Sequence, residues 1–231
     1  MKTTKRLTRC IALVAIAVWP LGMAAAMNDD PRAVLGLTRY SPPTFPVLAS
    51  SNGIFDGAVW VAVGWDQHGN ARDVLVLRAT HAAFARAVEE SVMRWARAPG
   101  YSDPRANHFI VEFHTSGIVV SSSGSRLLPR NDLNFDPIPS REELDAPPHA
   151  IEQPMPSLAV AHAGQQRRGR VVVTFFVDEE GRVRAANMIE ATSPEFAAAT
   201  LAAMEQWRFQ PAYRNGRPTI YGDRWAFDFK S

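Results

Sequence analysis

Gly169-Arg-Val-Val-Val-Thr-Phe-Phe-Val177, Asp178-Glu-Glu-Gly181, Arg182-Val-Arg-Ala-Ala-Asn-Met-Ile-Glu190, and the run from Ser193-Pro-Glu195 to Trp207-Arg-Phe-Gln-Pro211 together decide the fold. Val171, Val173, Phe175 and Val177 alternate with other residues, as in a half-buried strand. Asp178 to Gly181 is a tight turn with glycine where a positive φ is expected. A second strand of mixed polarity follows from Arg182 to Glu190. Ser193 then suits an N-cap, Pro194 the first helical turn, and Glu195 the positive end of the helix dipole. Phe196, Ala199, Ala203 and Trp207 share one helical face. The order is strand, turn, strand, capped helix.

The pattern occurs twice. Adding 112 to each position from Gly57 to Pro99 reaches Gly169 to Pro211 without a gap, and 13 of the 43 columns are identical. Ordinary residue frequencies would give roughly three or four. The matches include the turn glycines Gly69 and Gly181, the aromatics Phe84/Phe196 and Trp95/Trp207, and Pro99/Pro211 after the helix. They lie where one fold needs them, so the sequence reads as two copies of one small unit.

Length agrees with two domains: the chain has 231 residues. Lys2, Lys5, Arg6 and Arg9 precede an apolar run from Ile11 to Ala26, which closes on an Ala24-Ala25-Ala26 cleavage signal. Residues 1–26 therefore read as a cleavable export signal to the periplasm; the alternative is an inner-membrane anchor formed by residues 11–26. The single cysteine, Cys10, falls inside that segment, which leaves neither a disulfide nor a thiol nucleophile beyond it. The segment also carries four of the 25 Lys+Arg and none of the 23 Asp+Glu, leaving 21 against 23, a formal −2. That balance argues against nucleic acid as a partner.

Taken in order, Asn28 to Leu37 reads as a loose polar segment, and Ser41-Pro42-Pro43-Thr44-Phe45-Pro46 as an extended entry. Val59–Trp65 and Asp73–Leu77 are strands, Thr80 a cap, and Phe84, Ala87, Val88, Val92 and Trp95 a buried helix face. Asn107–Thr115 closes the first unit, with Gly117–Val120 in position to prolong its sheet. Residues 121–153 are rich in Pro and Ser and read as a linker. The second unit opens at Pro154-Met155-Pro156 and ends in a strand from Gly222 to Lys230, where Trp225, Phe227 and Phe229 alternate with Arg224, Ala226 and Asp228.

These motifs resemble the C-terminal domain of TonB-family energy transducers. The resemblance rests on Met155-Pro156, Gly169, Val171, Val173, Asp178, Gly181, Val183, Trp207-Arg208-Phe209, Pro211-Ala212 and the Asn215-Gly216-Arg217-Pro218 turn. It covers about the last 75 residues well, and residues 154–231 form the matching domain. Residues 40–120 form a degenerate copy that keeps Phe45-Pro46, Trp95 and Pro99, with Ala96 and Arg97 in place of the Arg-Phe pair. The family implies an α+β fold of tandem ββαβ units, each a three-stranded antiparallel sheet with a helix packed on one face. It also implies binding by strand addition, in which an extended segment of an outer-membrane receptor pairs with a free sheet edge. By that analogy the edge is Arg224, Trp225, Ala226, Phe227, Asp228 and Phe229, with Tyr221 nearby. The bland reading of Trp225, Phe227 and Phe229 is core packing against the helix, and of Arg208 a solvated or carboxylate-paired side chain.

Departures limit the analogy. No long Pro-Lys/Pro-Glu spacer precedes the units, and the apolar N-terminal segment lacks the Ser/His pattern associated with motor contact, which argues against contact with an inner-membrane motor. Pro156 to Gly169 is two residues longer than Pro46 to Gly57, so the family's polar recognition residue cannot be placed in this segment. A periplasmic protein-binding module associated with TonB-dependent transport is the leading expectation. The alternatives are a cell-envelope assembly protein that makes no receptor contact, and a small-ligand or hydrolytic protein with an inter-domain site. A homodimer through sheet edges fits the same chemistry.

No Gly-Xaa-Ser-Xaa-Gly elbow, phosphate loop or dinucleotide fingerprint occurs. Glu89-Glu90, Glu142-Glu143 and Glu179-Glu180 sit at places where solvated faces are usual, and nothing indicates a glycosidase dyad. His108, Glu112 and His114 share a strand face, but the two histidines are about 20 Å apart at ~3.3 Å per residue, leaving only Glu112 and His114 to share an ion. Two ligands are too few for structural zinc. The sequence thus predicts no enzyme, metal or cofactor.

Overall fold

Val59 to Val63 and Val171 to Val173 are buried on both faces, and the strand that holds each run is an inner strand of an antiparallel sheet. The computed structural model describes residues 30–101, 103–122, 133–157 and 168–230. In chain order the first unit contains α1 (Pro31–Leu35), β1 (Leu37–Arg39), α2 (Val47–Ser51), β2 (Gly57–Trp65), β3 (Ala71–Ala79), α3 (Ala82–Val92), β4 (Ala96–Arg97), β5 (His108–His114) and β6 (Gly117–Ser122). The second contains β7 (Ala150–Glu152), β8 (Arg168–Val177), β9 (Val183–Ala191), α4 (Pro194–Met204), β10 (Arg208–Phe209), β11 (Tyr213–Arg214), β12 (Arg217–Pro218) and β13 (Tyr221–Lys230). The main sheets run β3-β2-β5-β6 and β13-β8-β9. The second sheet has the three strands expected, and β6 adds a fourth to the first.

Four successive elements keep the 112-residue offset: β2 against residues 169–177 of β8, β3 against β9, α3 against α4, and β4 against β10. Local chemistry follows. Gly69 (φ +83°) and Gly181 (φ +81°) close the two hairpins, and a Cβ on them would lie 2.2 Å from the Arg97 carbonyl oxygen and 1.9 Å from that of Phe209. Only glycine meets both demands. Phe84 and Phe196 lie over Gly57 and Gly169 in the same way. The Trp95 indole donates to the Ser41 carbonyl at 2.8 Å, and the Trp207 indole to the Pro154 carbonyl at 3.0 Å, so each buried tryptophan pins the entry segment of its own unit.

Three expectations need revision. Pro31–Leu35 is a helix, capped by Asp30 and anchored by the fully buried Leu35, and β1 pairs with β4 rather than staying loose. Thr80 does not cap α3; its hydroxyl accepts from Ala58 N–H at 3.0 Å, and His81 Nδ1 takes the capping bond from Ala83 N–H. The Pro/Ser-rich stretch supplies structure where it is described: Ile138 is buried, and β7 pairs with β10. The export-signal residues lie outside the described residues.

Each sheet buries one face against its helix, around Phe84, Trp95 and Phe113 in one unit and Phe175, Trp207 and Phe227 in the other. Truncating Trp95 or Trp207 to alanine would cost about 3–5 kcal/mol. A third apolar cluster joins the opposite faces: Trp60, Leu75 and Ile110 meet Phe176, Ala185 and Ile220. β9 therefore packs on β2 and β3. Among the described residues no helix is long and apolar enough to cross a membrane.

Candidate functional site

β13 ends the second sheet. It pairs with β8 over its whole length without a register break, from Tyr221 opposite Val177 to Lys230 opposite Arg168. Which of its backbone groups point outward follows from Arg170. That residue turns its N–H and C=O to the other side, where they bond the Thr192 hydroxyl (2.9 Å) and the Thr192 N–H (3.0 Å). Asp228 lies opposite Arg170, so Asp228 forms a non-hydrogen-bonded pair and points its own groups away from β8. Gly222, Arg224 and Ala226 share that parity, and among the described residues no strand pairs with them on the outer side. The Arg224 N–H is bonded to the Asp223 side chain at 2.7 Å.

This parity divides the residues singled out in the sequence. Arg224, Ala226 and Asp228 are exposed and carry outward backbone groups. Phe227 is buried, and Trp225 and Phe229 are half-buried against the helix side of the sheet, with Trp225 edge-on to Trp207 and Phe229 tilted on Phe196. Tyr221 is fully buried, and burial, followed by the Asp223 charge, pushes its hydroxyl pKa well up. Gly222 is the outward member that sequence reasoning missed; strand alternation counted from Ala226 would have found it.

The motif residues support the rim rather than touch it. Asp178 is buried and accepts from Glu180 N–H, Arg182 N–H (2.8 Å) and Arg182 Nε (2.8 Å). Arg208 donates from Nη1 to the Glu205 and Trp207 carbonyls, closing the last turn of α4, so it is neither a carboxylate pair nor a rim contact. Phe209 stacks on Phe175, and Pro211 follows on the surface.

The other edge of this sheet, β9, leans on the first unit. The Asp73 carboxylate takes Arg184 Nη2 at 2.7 Å, Arg184 Nε at 3.0 Å and the Ala185 N–H at 2.7 Å. These bonds hold Ala185 at φ +47°, and Gly64 leaves the room it needs. Asn187, 2% exposed, donates to the Val63 carbonyl at 2.7 Å and accepts from Trp65 N–H at 3.3 Å. Arg72 pairs with Glu205 across the same joint.

A cleft of about 330 Å³ opens between the units, lined by His108, Ser140, Arg141, Thr174, Asp223 and Arg224 among others. Burial pulls the His108 pKa down to about 4, so its imidazole is neutral at pH 7. At the far end of β5, His114 lies 3.7 Å from Glu112 and 3.5 Å from Asp56. Among the described residues no group of three or more His, Cys, Asp or Glu side chains is placed to hold a metal.

Residues 160–230 match the model of the family described as Gram-negative bacterial TonB protein C-terminal. The second unit is a TonB C-terminal domain. A search of solved structures found the solution NMR structure of the Pseudomonas aeruginosa TonB CTD, 25% identical, covering 36% of this chain and 86% of that one at a TM-score of 0.33. No curated protein matches the chain. The family match ends with β13, so the rim described above belongs to the TonB-type domain.

Proposed function

We propose that the chain is a periplasmic protein-binding module of the TonB type, associated with transport across the outer membrane, and that β13 receives an extended partner segment as an added strand. The supporting observation is the outer side of β13, where Gly222, Arg224, Ala226 and Asp228 present backbone groups that no described strand takes up. Backbone pairing would supply the affinity, and Arg224 and Asp228 the selection. In this reading the first unit is a degenerate copy of the same domain, bound to β9, and the module works without a metal, a cofactor or chemistry of its own.

A second copy of the chain is the alternative partner, favoured by one observation. Antiparallel pairing of two β13 strands about Ala226 would set Arg224 of each copy opposite Asp228 of the other, two complementary charge pairs.

The test is Ala226→Pro. The N–H at 226 points away from β8, so proline removes a rim donor and leaves the ladder to β8 in place. Photoreactive residues at 224 and 228 in cells should crosslink to an outer-membrane protein, and Ala226→Pro should abolish the crosslinks while shifting Tm little. Crosslinks only between copies of this chain would establish the dimer. Crosslinks unchanged by the proline would refute strand addition.

A further inference from the structure

Position 97 corresponds to Phe209, which is buried in the core of the second unit. The first unit has Arg97 there, only 8% exposed. Nη1 donates to Asn107 Oδ1 at 2.8 Å, and the guanidinium lies 4.9 Å from the Trp65 ring centre and 6.0 Å from that of Tyr101. Among the described residues no carboxylate pairs with it. A buried cation ordinarily has an anionic partner, because desolvation costs several kcal/mol that one amide oxygen and two ring faces offset only in part. Burial accordingly pulls the Arg97 pKa down to about 10. Four of the five guanidinium N–H groups have no acceptor among the described residues.

The same side chain lines a cleft of about 320 Å³ between the units, walled by Trp65 and Tyr101 on one side and Met188, Ile189 and Leu201 on the other. The Trp65 ring lines the same cleft, while its indole Nε1 is sealed in the core without a partner among the described residues. A guanidinium with free N–H groups on a cleft calls for an acceptor-rich ligand. A planar guanidinium matches a carboxylate in geometry. Asp66 and Glu190 also line the cleft and oppose a polyanion, while the apolar wall suits a hydrocarbon body. The volume is in the range of small-molecule sites, roughly 300–1,000 Å³.

We propose that this cleft is a binding site for a small organic monocarboxylate, with Arg97 as its anchor. The site is separate from the β13 rim, so its failure would leave strand addition untouched. The test is calorimetry on the full chain with hexanoate and phenylacetate, compared with hexanamide and inorganic phosphate. The carboxylates should bind, and hexanamide should be at least ~10-fold weaker, the difference expected of a charge-assisted pair. Arg97→Phe, which installs the residue of the other unit, should fold and lose at least ~10-fold in carboxylate affinity. Should that variant not fold, Arg97→Gln supplies the comparison, with the same ~10-fold loss expected. The Trp65 indole N–H resonance should shift with hexanoate and not with hexanamide. Absence of carboxylate binding, equal binding of hexanamide, phosphate binding as tight as hexanoate, or undiminished binding by the Arg97 variant would overturn the proposal.

Discussion

Acidification from pH 7 toward pH 4 is expected to remove about 3 kcal/mol of stability through His108 alone. Its folded pKa is held near 4 by burial, and the ordinary value is about 6.5. The unfolded chain therefore takes up a proton that the folded chain refuses throughout that window. The gap of about 2.5 units at 1.36 kcal/mol each gives ~3 kcal/mol. The sign is fixed: the contribution is present above about pH 6.5, falls as pH drops toward 4, and changes no further once both states are protonated. The cleft it lines carries both signs of charge, Arg141 and Arg224 with Glu142 and Asp223, and burial is what lowers the pKa. Trp60 lies edge-on at 6.4 Å, and Asn107 and Pro104 join His108 on the wall of the cleft. Urea unfolding followed by tryptophan fluorescence at pH 7, 6, 5 and 4.5, for the wild type and for His108→Gln, separates this group from the carboxylates, which titrate in both proteins. The two stability curves should converge by about 2.5 kcal/mol between pH 7 and pH 4.5. Parallel curves would show that His108 protonates freely in the folded state and would refute the assignment.

Asp73→Ala should destabilise by about 2 kcal/mol, since it removes the Ala185 N–H acceptor and leaves Arg184 with only the Val74 carbonyl and the more distant Asp178 carboxylate, at a joint that is still partly solvated. Denaturation of the single and double variants with Arg184→Ala should show strong non-additivity, whereas additive losses would mean that the pair contributes little. Gly181→Ala should cost roughly 2 kcal/mol or more, because φ is +81° and the new methyl would meet the Phe209 carbonyl oxygen at 1.9 Å. An unchanged denaturation midpoint would refute that geometry.

The order of strands and helix within each unit was legible because its determinants are local. Turn glycines, strand alternation and a helix face are written within a few residues, and the offset that aligns Gly57 with Gly169 also aligns the folded elements. β13 was legible as a strand with two alternating sets of residues, but which set turns its backbone outward was not, since that depends on the bonds Arg170 makes to Thr192 just beyond β9. The joint was not legible. Asp73 and Arg184 look like surface charges on alternating strands, and only the packing of two sheets brings them together. Arg97 was visible as a departure from the Arg-Phe pair, but its burial was not, because helical and strand periodicities say nothing about what covers a two-residue strand.

The packing of the two units determines which edge remains for pairing. A lone three-stranded sheet has two edges, and each is a template for another chain. Here the first unit occupies the β9 side through Asp73, Val63 and the Trp60 cluster. It does so by side chains rather than by a continuous ladder, which is why a bulge and a left-handed Ala185 are tolerated there. The helix covers one face of the second sheet, and the first unit covers part of the other through Phe176 and Ala185. Of the second sheet's apolar faces and edges, β13 is then the element with unmatched backbone along its length among the described residues. Its exposed side chains are Arg224, Ala226 and Asp228, two charges around a small residue. Charged residues on an edge resist indiscriminate pairing, while the small central residue lets a matched strand approach. Under the proposed strand addition, the companion unit would direct recognition by taking up the competing β9 edge.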